Sequence, residues 1–508
     1  VNGGVFATTF SGGDTLANLH LTSTNVAATV TAAAAAIAGS ADEAIILSSG
    51  SSQTADTTAT YNGLEVINFS AAGTTGLKSA TVDNSLTLAS TALEKVVVTG
   101  DAAANLTVSL AGASLDTQTS EFDASAAGGV ITAHVTKGAS VNATVTMSAQ
   151  GDFLDYNGAV ASTATLDGGD GADTLQLDTD VAFSTTATAQ SASGISNFEV
   201  LRLESGVDVD ERSLVNNAGI TTVIAEAGGS YTKSTALANL FQLTSGTFTT
   251  TAATDGTADA LSLSLAGAGV ASVLVAANVE ALTIASGGAD NSVTMSAAGS
   301  ADLTSVTAAG AQTLALTVSG TSLATVDASG ITGTGESFTL VASASDADMT
   351  VTASAARPTN TLTGTANTIT TGDGDDTVTG GEYGDVITTG KGDDTISSGD
   401  GPDNITSGRG DDTITAGDGD LTIDAGNDDD TVTVGDGDNT ITLGSGDDTL
   451  TAGDGDNTVV LGTGDDTVTT GAGDDVVLMS DYDDDDVLSL GAGANTLLAS
   501  ALATTGAY

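Results

Sequence analysis

An all-β chain is predicted, with a C-terminal parallel β-roll of nonapeptide repeats preceded by a degenerate β-solenoid or a string of β-sandwich-like units. Three observations lead there. From Thr371 to Leu478 a nine-residue unit, roughly x-Gly-x-Gly-x-Asp-x-aliphatic-x, repeats twelve times without a slipped residue. The eighth place of each unit is Val, Ile or Leu, from Val378 and Ile387 to Val468 and Val477, so one inward side chain per unit stays in phase. Upstream of about residue 360, short β-prone runs alternate with Gly, Ser, Asn and Asp turns, and almost no stretch sustains a helical period.

Taken in order, residues 1–150 read as a β-rich region with degenerate repeats. Two phrases recur there and beyond. One is Leu64-Glu65-Val66-Ile67, echoed by Leu93-Glu94-Lys95-Val96, Phe198-Glu199-Val200-Leu201 and Val279-Glu280-Ala281-Leu282; its glutamates read as coil corners or solvated strand starts. The other is Phe122-Asp123-Ala124-Ser125, echoed by Val326-Asp327-Ala328-Ser329. Residues 151–360 read as a second β-rich region, which begins with an isolated copy of the nonapeptide, Gly168-Gly169-Asp170-Gly171-Ala172-Asp173-Thr174-Leu175-Gln176. Gly151-Asp152-Phe153-Leu154 and Gly12-Gly13-Asp14-Thr15-Leu16 look like worn copies, so Asp152 and Asp173 become candidate cation ligands. Arg357-Pro358 interrupts the pattern, and residues 361–508 form the roll. Past Leu478 the run Asp481-Tyr482-Asp483-Asp484-Asp485-Asp486 breaks the register, as a bulge with an extra cation site or as a solvated loop. Gly491-Ala492-Gly493-Ala494-Asn495-Thr496-Leu497 then restores it two residues out of phase.

Within the roll, a turn of about six residues and a very short strand fill each unit, and two units complete one coil. Sixth-place residues therefore stack two units apart. One edge carries Asp376, Asp394, Asp412, Asp430, Asp448 and Asp466; the other carries Asp385, Asp403, Leu421, Asn439, Asn457 and Asp475. Coils about 4.8 Å apart hold neighbouring carboxylates where each pair repels by roughly 1 kcal/mol in water, and several times more when half-buried. A hard divalent cation answers this. Ca²⁺ takes roughly six to eight oxygens from carboxylates and carbonyls, and turn glycines such as Gly374, Gly392, Gly410, Gly446 and Gly464 let carbonyls approach. Leu421 leaves its site weak or missing, and the neutral oxygens of Asn439 and Asn457 lower affinity on the same edge, so the all-aspartate edge fills first. Lys391 and Arg409, at the third place of loops one coil apart, offset part of the negative charge. A disordered acidic linker would have no reason to keep twelve aliphatic residues in phase. Without metal, charge repulsion and a thin core leave the segment unfolded, so binding free energy becomes folding free energy.

The 508 residues include 9 Lys and Arg against 65 Asp and Glu, a net charge of -56. Of the acids, 32 fall between Asp373 and Asp486, which assigns the acidity to the roll. Such a charge argues against nucleic acid or anionic lipid as direct partners and for cations. The lack of cysteine removes disulfides and thiolate sites, leaving metal as the expected staple. The small-residue stretch from Ala27 to Gly39 is too short and too weakly apolar to span a bilayer, and no membrane insertion is expected. The chain opens on Val1 without a charged leader and reads as a fragment or a processed product. His20 and His134 lie in β-like runs with no nearby acid to orient them, and neither a Gly-x-Ser-x-Gly elbow nor a zinc-type helix motif occurs. No catalytic residue, and no enzyme, is expected.

The tandem run from Thr371 to Leu478 resembles the RTX family of Gram-negative proteins. Together with the Ala/Thr-rich, cysteine-free and tryptophan-free upstream part, and phrases such as Ile195-Ser196-Asn197-Phe198-Glu199-Val200-Leu201, the whole chain looks like the RTX-type surface-layer proteins. That resemblance implies export through a one-step type I channel, folding triggered by extracellular Ca²⁺, and self-association into a two-dimensional lattice on the bacterial cell surface. In such proteins lipopolysaccharide is held by an N-terminal region for which this sequence shows no counterpart. Two other classes share the roll. One is a secreted calcium-dependent adhesin or biofilm-matrix fibre; the other is the calcium module of an RTX hydrolase or toxin, disfavoured by the lack of a catalytic signature upstream.

Overall fold

The computed structural model describes residues 367–479 and 485–499 throughout, 119–354 in segments, and before residue 119 the strands alone. The chain forms two compact units, Val1–Ser234 with Asn239–Phe241, and Thr235–Ala238 with Gln242–Tyr508. Among the described residues there is no α-helix, hence none long and apolar enough to cross a membrane.

In the N-terminal unit two stacks of strands alternate along the chain. One runs through Lys95–Gly100, Thr119–Ala127, Asn142–Thr146 and Thr165–Asp167; the other runs through Asn105–Ser109, Ile131–Thr136, Phe153–Asn157, Thr174–Leu177 and Val200–Leu203. Each strand pairs in parallel with the next but one in sequence. That is the connectivity of a solenoid, in which each coil contacts only its neighbours, and it decides between the two upstream architectures the sequence allows. Alternation along each strand sends one side chain in and the next out. Phe122, Tyr156 and Phe198 are the large inward groups and are fully enclosed.

The C-terminal unit follows the same rule. One stack contains Ala260–Leu265, Ala281–Ser286, Ser305–Gly310, Thr325–Ile331 and Thr350–Thr352; the other contains Ala271–Ala277, Asn291–Met295, Leu314–Val318, Phe338–Val341 and Asn367–Thr370. Pairing passes directly into the repeats, with Thr350–Thr352 on Thr377–Thr379 and Asn367–Thr370 on Val386–Lys391. From there a first face is built of Thr377–Thr379, Thr395–Gly399, Thr413–Ala416, Thr431–Val434, Thr449–Ala452 and Thr467–Thr469. A second face is built of Val386–Lys391, Asn404–Arg409, Thr422–Asn427, Thr440–Ser445, Thr458–Thr463 and Val476–Met479.

Eighth-place residues on both faces form the core of the roll, and none is more than 2% exposed. Each such side chain contributes about 1.5–3 kcal/mol on burial. The structure adds a second inward place, the first of each unit. In alternate units it holds Thr371, Thr389 and Ser407 early in the roll and Ala425, Leu443 and Leu461 later; in the others it holds Gly380, Ser398, Ala416, Val434, Ala452 and Thr470. The early hydroxyls donate along the stack, Thr389 Oγ1 to Ser407 O at 3.0 Å and Ser407 Oγ to Ala425 O at 2.6 Å. Along these alternate units the inward first place thus passes from polar at the start of the roll to apolar at its end.

Candidate metal centres

The sixth-place residue of each unit sits where the turn enters the strand, and there it acts as a bracket between coils. On the first edge Asp376 N donates to Asp394 Oδ1 at 2.7 Å, Asp394 N to Asp412 Oδ1 at 2.8 Å, and Asp412 N to Asp430 Oδ1 at 2.9 Å. Asp430 N and Asp448 N continue to Asp448 and Asp466. From Asp394 onward, one oxygen of each carboxylate is thus committed to an amide eighteen residues earlier. All six of these aspartates are 1% exposed, although water would solvate each far better.

The second oxygen carries the chemistry. Oδ2 of Asp376, Asp394, Asp412, Asp430 and Asp448 on the first edge, of Asp385 and Asp403 on the second, and of Asp173 in the N-terminal unit is buried without a hydrogen-bond partner. A buried carboxylate oxygen with nothing to accept from is costly unless it is protonated or bound to a cation. Burial, with neighbouring carboxylates adding to it, pushes Asp430 up to about 8 and Asp394 to about 7. Burial likewise pushes Asp385 and Asp173 to about 7, and Asp403, Asp412 and Asp466 to about 6. Asp376, Asp448 and Asp152 shift the same way, again chiefly through burial.

The turns supply the remaining donors. Gly374, Gly392, Gly410, Gly446 and Gly464, at the fourth place, all have φ between +115° and +139°, a region only glycine occupies cheaply. A Cβ on Gly392 would stand 2.1 Å from Gly374 O, and one on Gly410 2.2 Å from Gly392 O. Successive turns therefore nest backbone on backbone. Where the fourth place is Asp428, the same left-handed conformation persists at φ 77°, a strained choice for a side-chain-bearing residue. Among the described residues no three His, Asp or Glu side chains converge on one point. An ion here must draw on one or two sixth-place carboxylates and complete its shell from turn carbonyls, a mixture that suits Ca²⁺. The unpartnered Oδ2 atoms and the nested glycine turns both fit that ion.

The second edge is built differently after Asp403. Leu421 offers no carboxylate, and Asp403 N turns instead to Gly401 O at 3.0 Å. Leu421 N and Asn439 N are taken by Asn439 Oδ1 and Asn457 Oδ1. Each asparagine amide then donates back into its own turn, Asn439 Nδ2 to Gly437 O at 3.1 Å and Asn457 Nδ2 to Gly455 O at 3.0 Å. The Asn oxygens are thus engaged with backbone, and the amide nitrogen satisfies a glycine carbonyl that a cation would otherwise claim. Asp475 uses both oxygens on protein donors, Asn457 and Thr470. Asp152 does the same with Ile131 and Ser148. Lys391 Nζ pairs with Asp373 at the third place, as its position suggested.

The bracket extends beyond the residues that sequence spacing singles out. In the N-terminal unit Asp152 N donates to Asp173 Oδ1 at 2.6 Å and Asp173 N to Glu199 Oε2 at 2.8 Å. In the C-terminal unit Asp259 N donates to Glu280 Oε2 and Met349 N to Asp376 Oδ1. Glu199 and Glu280 are thus inter-coil brackets, half-buried, and more than corner markers; Glu65 and Glu94 lie outside the described residues, as do Asp14 and residues 480–484. Past the repeats, Asp466 N reaches Asp486 and Asp475 N reaches Asn495, each twenty residues on. The glutamate in Phe198-Glu199 and Val279-Glu280 was the available signal for the first pair, and the two-residue slip after Leu478 was the signal for the second.

One expectation is corrected. His134 does have an acid to orient it: its Nδ1 lies 2.8 Å from Asp155 Oδ2, on the register partner in the adjacent strand. The two are 21 residues apart in sequence, so the pairing was invisible there. It is a half-exposed contact on an outward strand face.

Residues 165–179 and, in overlapping stretches, 370–478 match the family model described as the RTX calcium-binding nonapeptide repeat. No curated protein and no solved structure shows a detectable match to the chain. The matched stretches carry the turn glycines and every unpartnered Oδ2 described above; of the buried bracketing aspartates, Asp152 lies outside them. The chain therefore carries RTX calcium-binding nonapeptide repeats, as a roll in residues 370–478 and as a further copy at 165–179.

Proposed function

We propose that the chain is a non-catalytic structural protein of a bacterial surface layer, secreted unfolded through a type I channel, folded by extracellular Ca²⁺, and assembled with copies of itself into a two-dimensional lattice on the cell surface. The observation that carries this reading is the set of buried, unpartnered Oδ2 atoms. They make the fold conditional on a cation that is scarce in the cytosol and abundant outside, where extracellular modules bind with dissociation constants of roughly 10⁻⁴–10⁻³ M. A chain that cannot fold inside is suited to threading through a channel. Strand-rich coils in both units, low in aromatic residues and with no cysteine, suit a tiling protein better than one built around a catalytic cleft.

A secreted adhesin or matrix fibre is the second reading, and the last described coil favours it. Val487, Leu497 and Leu498 are 57%, 51% and 50% exposed, so apolar side chains stand at that end of the strand stack. Negative-stain microscopy before and after millimolar Ca²⁺ tests both readings. Ordered sheets support the surface layer, linear fibres support the second reading, and a protein that stays monomeric while folded refutes both.

A further inference from the structure

The outward side chains of the roll are distributed unequally between its two faces. On the first face, places seven and nine of every unit from Thr377 to Thr469 are threonine, with Ser397 the sole exception, and all are exposed. The strand Thr350–Thr352 extends both ranks by one coil, with Thr350 beside Thr377 and Thr352 beside Thr379. On the second face the same places carry Val386, Asn404, Asp424, Val460, Val476 and Leu478 among the threonines. Both faces belong to the same coils, and the preference of strands for threonine acts on both. Strand propensity therefore leaves the uniformity of the first face unexplained, as does solubility, for which carboxylates serve better.

In-register parallel pairing spaces the coils by about 4.8 Å, and two places along an extended strand are about 6.6 Å apart. Side chains at places seven and nine point the same way, and a β-branched residue is stiff at χ1. The result is a rectangular grid in which hydroxyls and methyls recur at fixed intervals over seven coils. We propose that this face binds ice, a neutral lattice of ordered water whose oxygens recur on a similar grid and can meet both the hydroxyls and the methyls. Within a chain of net charge -56, the two ranks hold no acid and no base, so they do not suit a mineral, a phosphate-bearing polymer or a lipid headgroup. They also hold no aromatic ring, the usual platform for a sugar polymer.

The test uses the full chain loaded with millimolar Ca²⁺, with circular dichroism confirming that it is folded. Ice crystals grown in its presence should be faceted, and the protein should partition into the ice fraction rather than the liquid. The double substitution Thr431→Tyr with Thr433→Tyr should abolish both effects, whereas Thr440→Tyr with Thr442→Tyr on the second face should leave both intact. Rounded crystals and exclusion of the folded protein from ice would overturn the proposal, as would equal loss from the two double variants. Sedimentation showing a dimer that only the first double variant dissociates, with no ice shaping, would instead assign the face to a second copy of the chain and also overturn it.

Discussion

The two edges of the roll share one backbone and close their coils in two different ways. On the first edge the sixth place is aspartate in all six coils, while the third place drifts from Asp373, Lys391 and Arg409 to Asn427, Ser445 and Thr463. On the second edge the sixth place changes to Leu421, Asn439 and Asn457, while the third place becomes Asp400, Asp418, Asp436 and Asp454. The first edge thus keeps a buried acid in every coil, whereas from Leu421 to Asn457 the second edge carries its acids only in exposed places. The exposed aspartates still bracket coils, as when Asp436 N donates to Asp418 Oδ1 at 3.0 Å and Asp454 N to Asp436 Oδ1 at 2.8 Å, but in water they need no cation. Metal dependence is therefore expected of a particular buried oxygen and not of the coil as such. An asparagine amide aimed at a glycine carbonyl can close a coil where a cation would do so opposite.

The largest effect expected is that of removing the metal. With chelator at pH 7.5 the roll should lose most of its β-sheet circular dichroism, because several buried carboxylates per stack are then charged and uncompensated. At sub-saturating Ca²⁺, hydrogen exchange should open the amides of Asp376 to Asp448 on the first edge before those of Leu421, Asn439 and Asn457. Uniform exchange along both edges would break the comparison.

Acidity should partly replace the metal. The folded pKa values of about 6 to 8 at Asp403, Asp412, Asp466, Asp385, Asp394 and Asp430 exceed the usual value of about 3.9 for an unfolded chain. The folded apo-roll therefore binds more protons than the unfolded one. Its stability is greatest below about pH 4 and is lost as pH rises through about 6 to 8. Chelated protein should show more ordered β-structure at pH 4.5 than at pH 8. Ca²⁺ affinity should run the other way, rising across the same window as protons leave the ligands. A Ca²⁺ midpoint that is the same at pH 5.5 and pH 7.5 would contradict this.

Single substitutions sharpen the contrast between edges. Asp412→Ala leaves Asp394 N without its acceptor, a loss of about 1–3 kcal/mol, and also removes a ligand oxygen. Calorimetric titration should find fewer ions bound and a higher Ca²⁺ midpoint. Asn439→Ala strips an acceptor from Leu421 N at a similar cost of about 1–3 kcal/mol, but the number of bound ions should not change. Equal shifts in ion count would refute the distinction.

The smallest expected effect is a gain. Asn439→Asp keeps the acceptor for Leu421 N and replaces the amide that occupies Gly437 O with a second oxygen. It should lower stability in chelator, leave stability in millimolar Ca²⁺ nearly unchanged, and add ion binding on the second edge. Mass spectrometry under native conditions reads the ion count directly.

Much of this arrangement was legible in the chain because the period of nine is strict. A one-residue slip would expose Val378 or Ile405, so phase alone identifies the inward aliphatic places and, two residues earlier, the sixth-place acids. Where the bracket spacing departs from eighteen, to 26 at Glu199, 21 at Glu280 and twenty at Asp486, no period points to the partner, and those brackets were not foreseen. The pairing of His134 with Asp155 was hidden for the same reason. Asn439 and Asn457 stand out in the sequence as departures with neutral oxygens, but only stacked coils show each amide turned onto a carbonyl of its own turn.

The sequence by itself determined the parallel roll, the inward aliphatic places and the requirement for a divalent cation, because a fixed repeat length makes neighbours in space predictable from neighbours in number. Only the tertiary structure decided which carboxylate oxygens are left without a partner. That depends on whether the amide one coil away, the hydroxyl beside it or an asparagine nitrogen reaches the oxygen first, and such distances arise from stacked coils and cannot be read from any one of them.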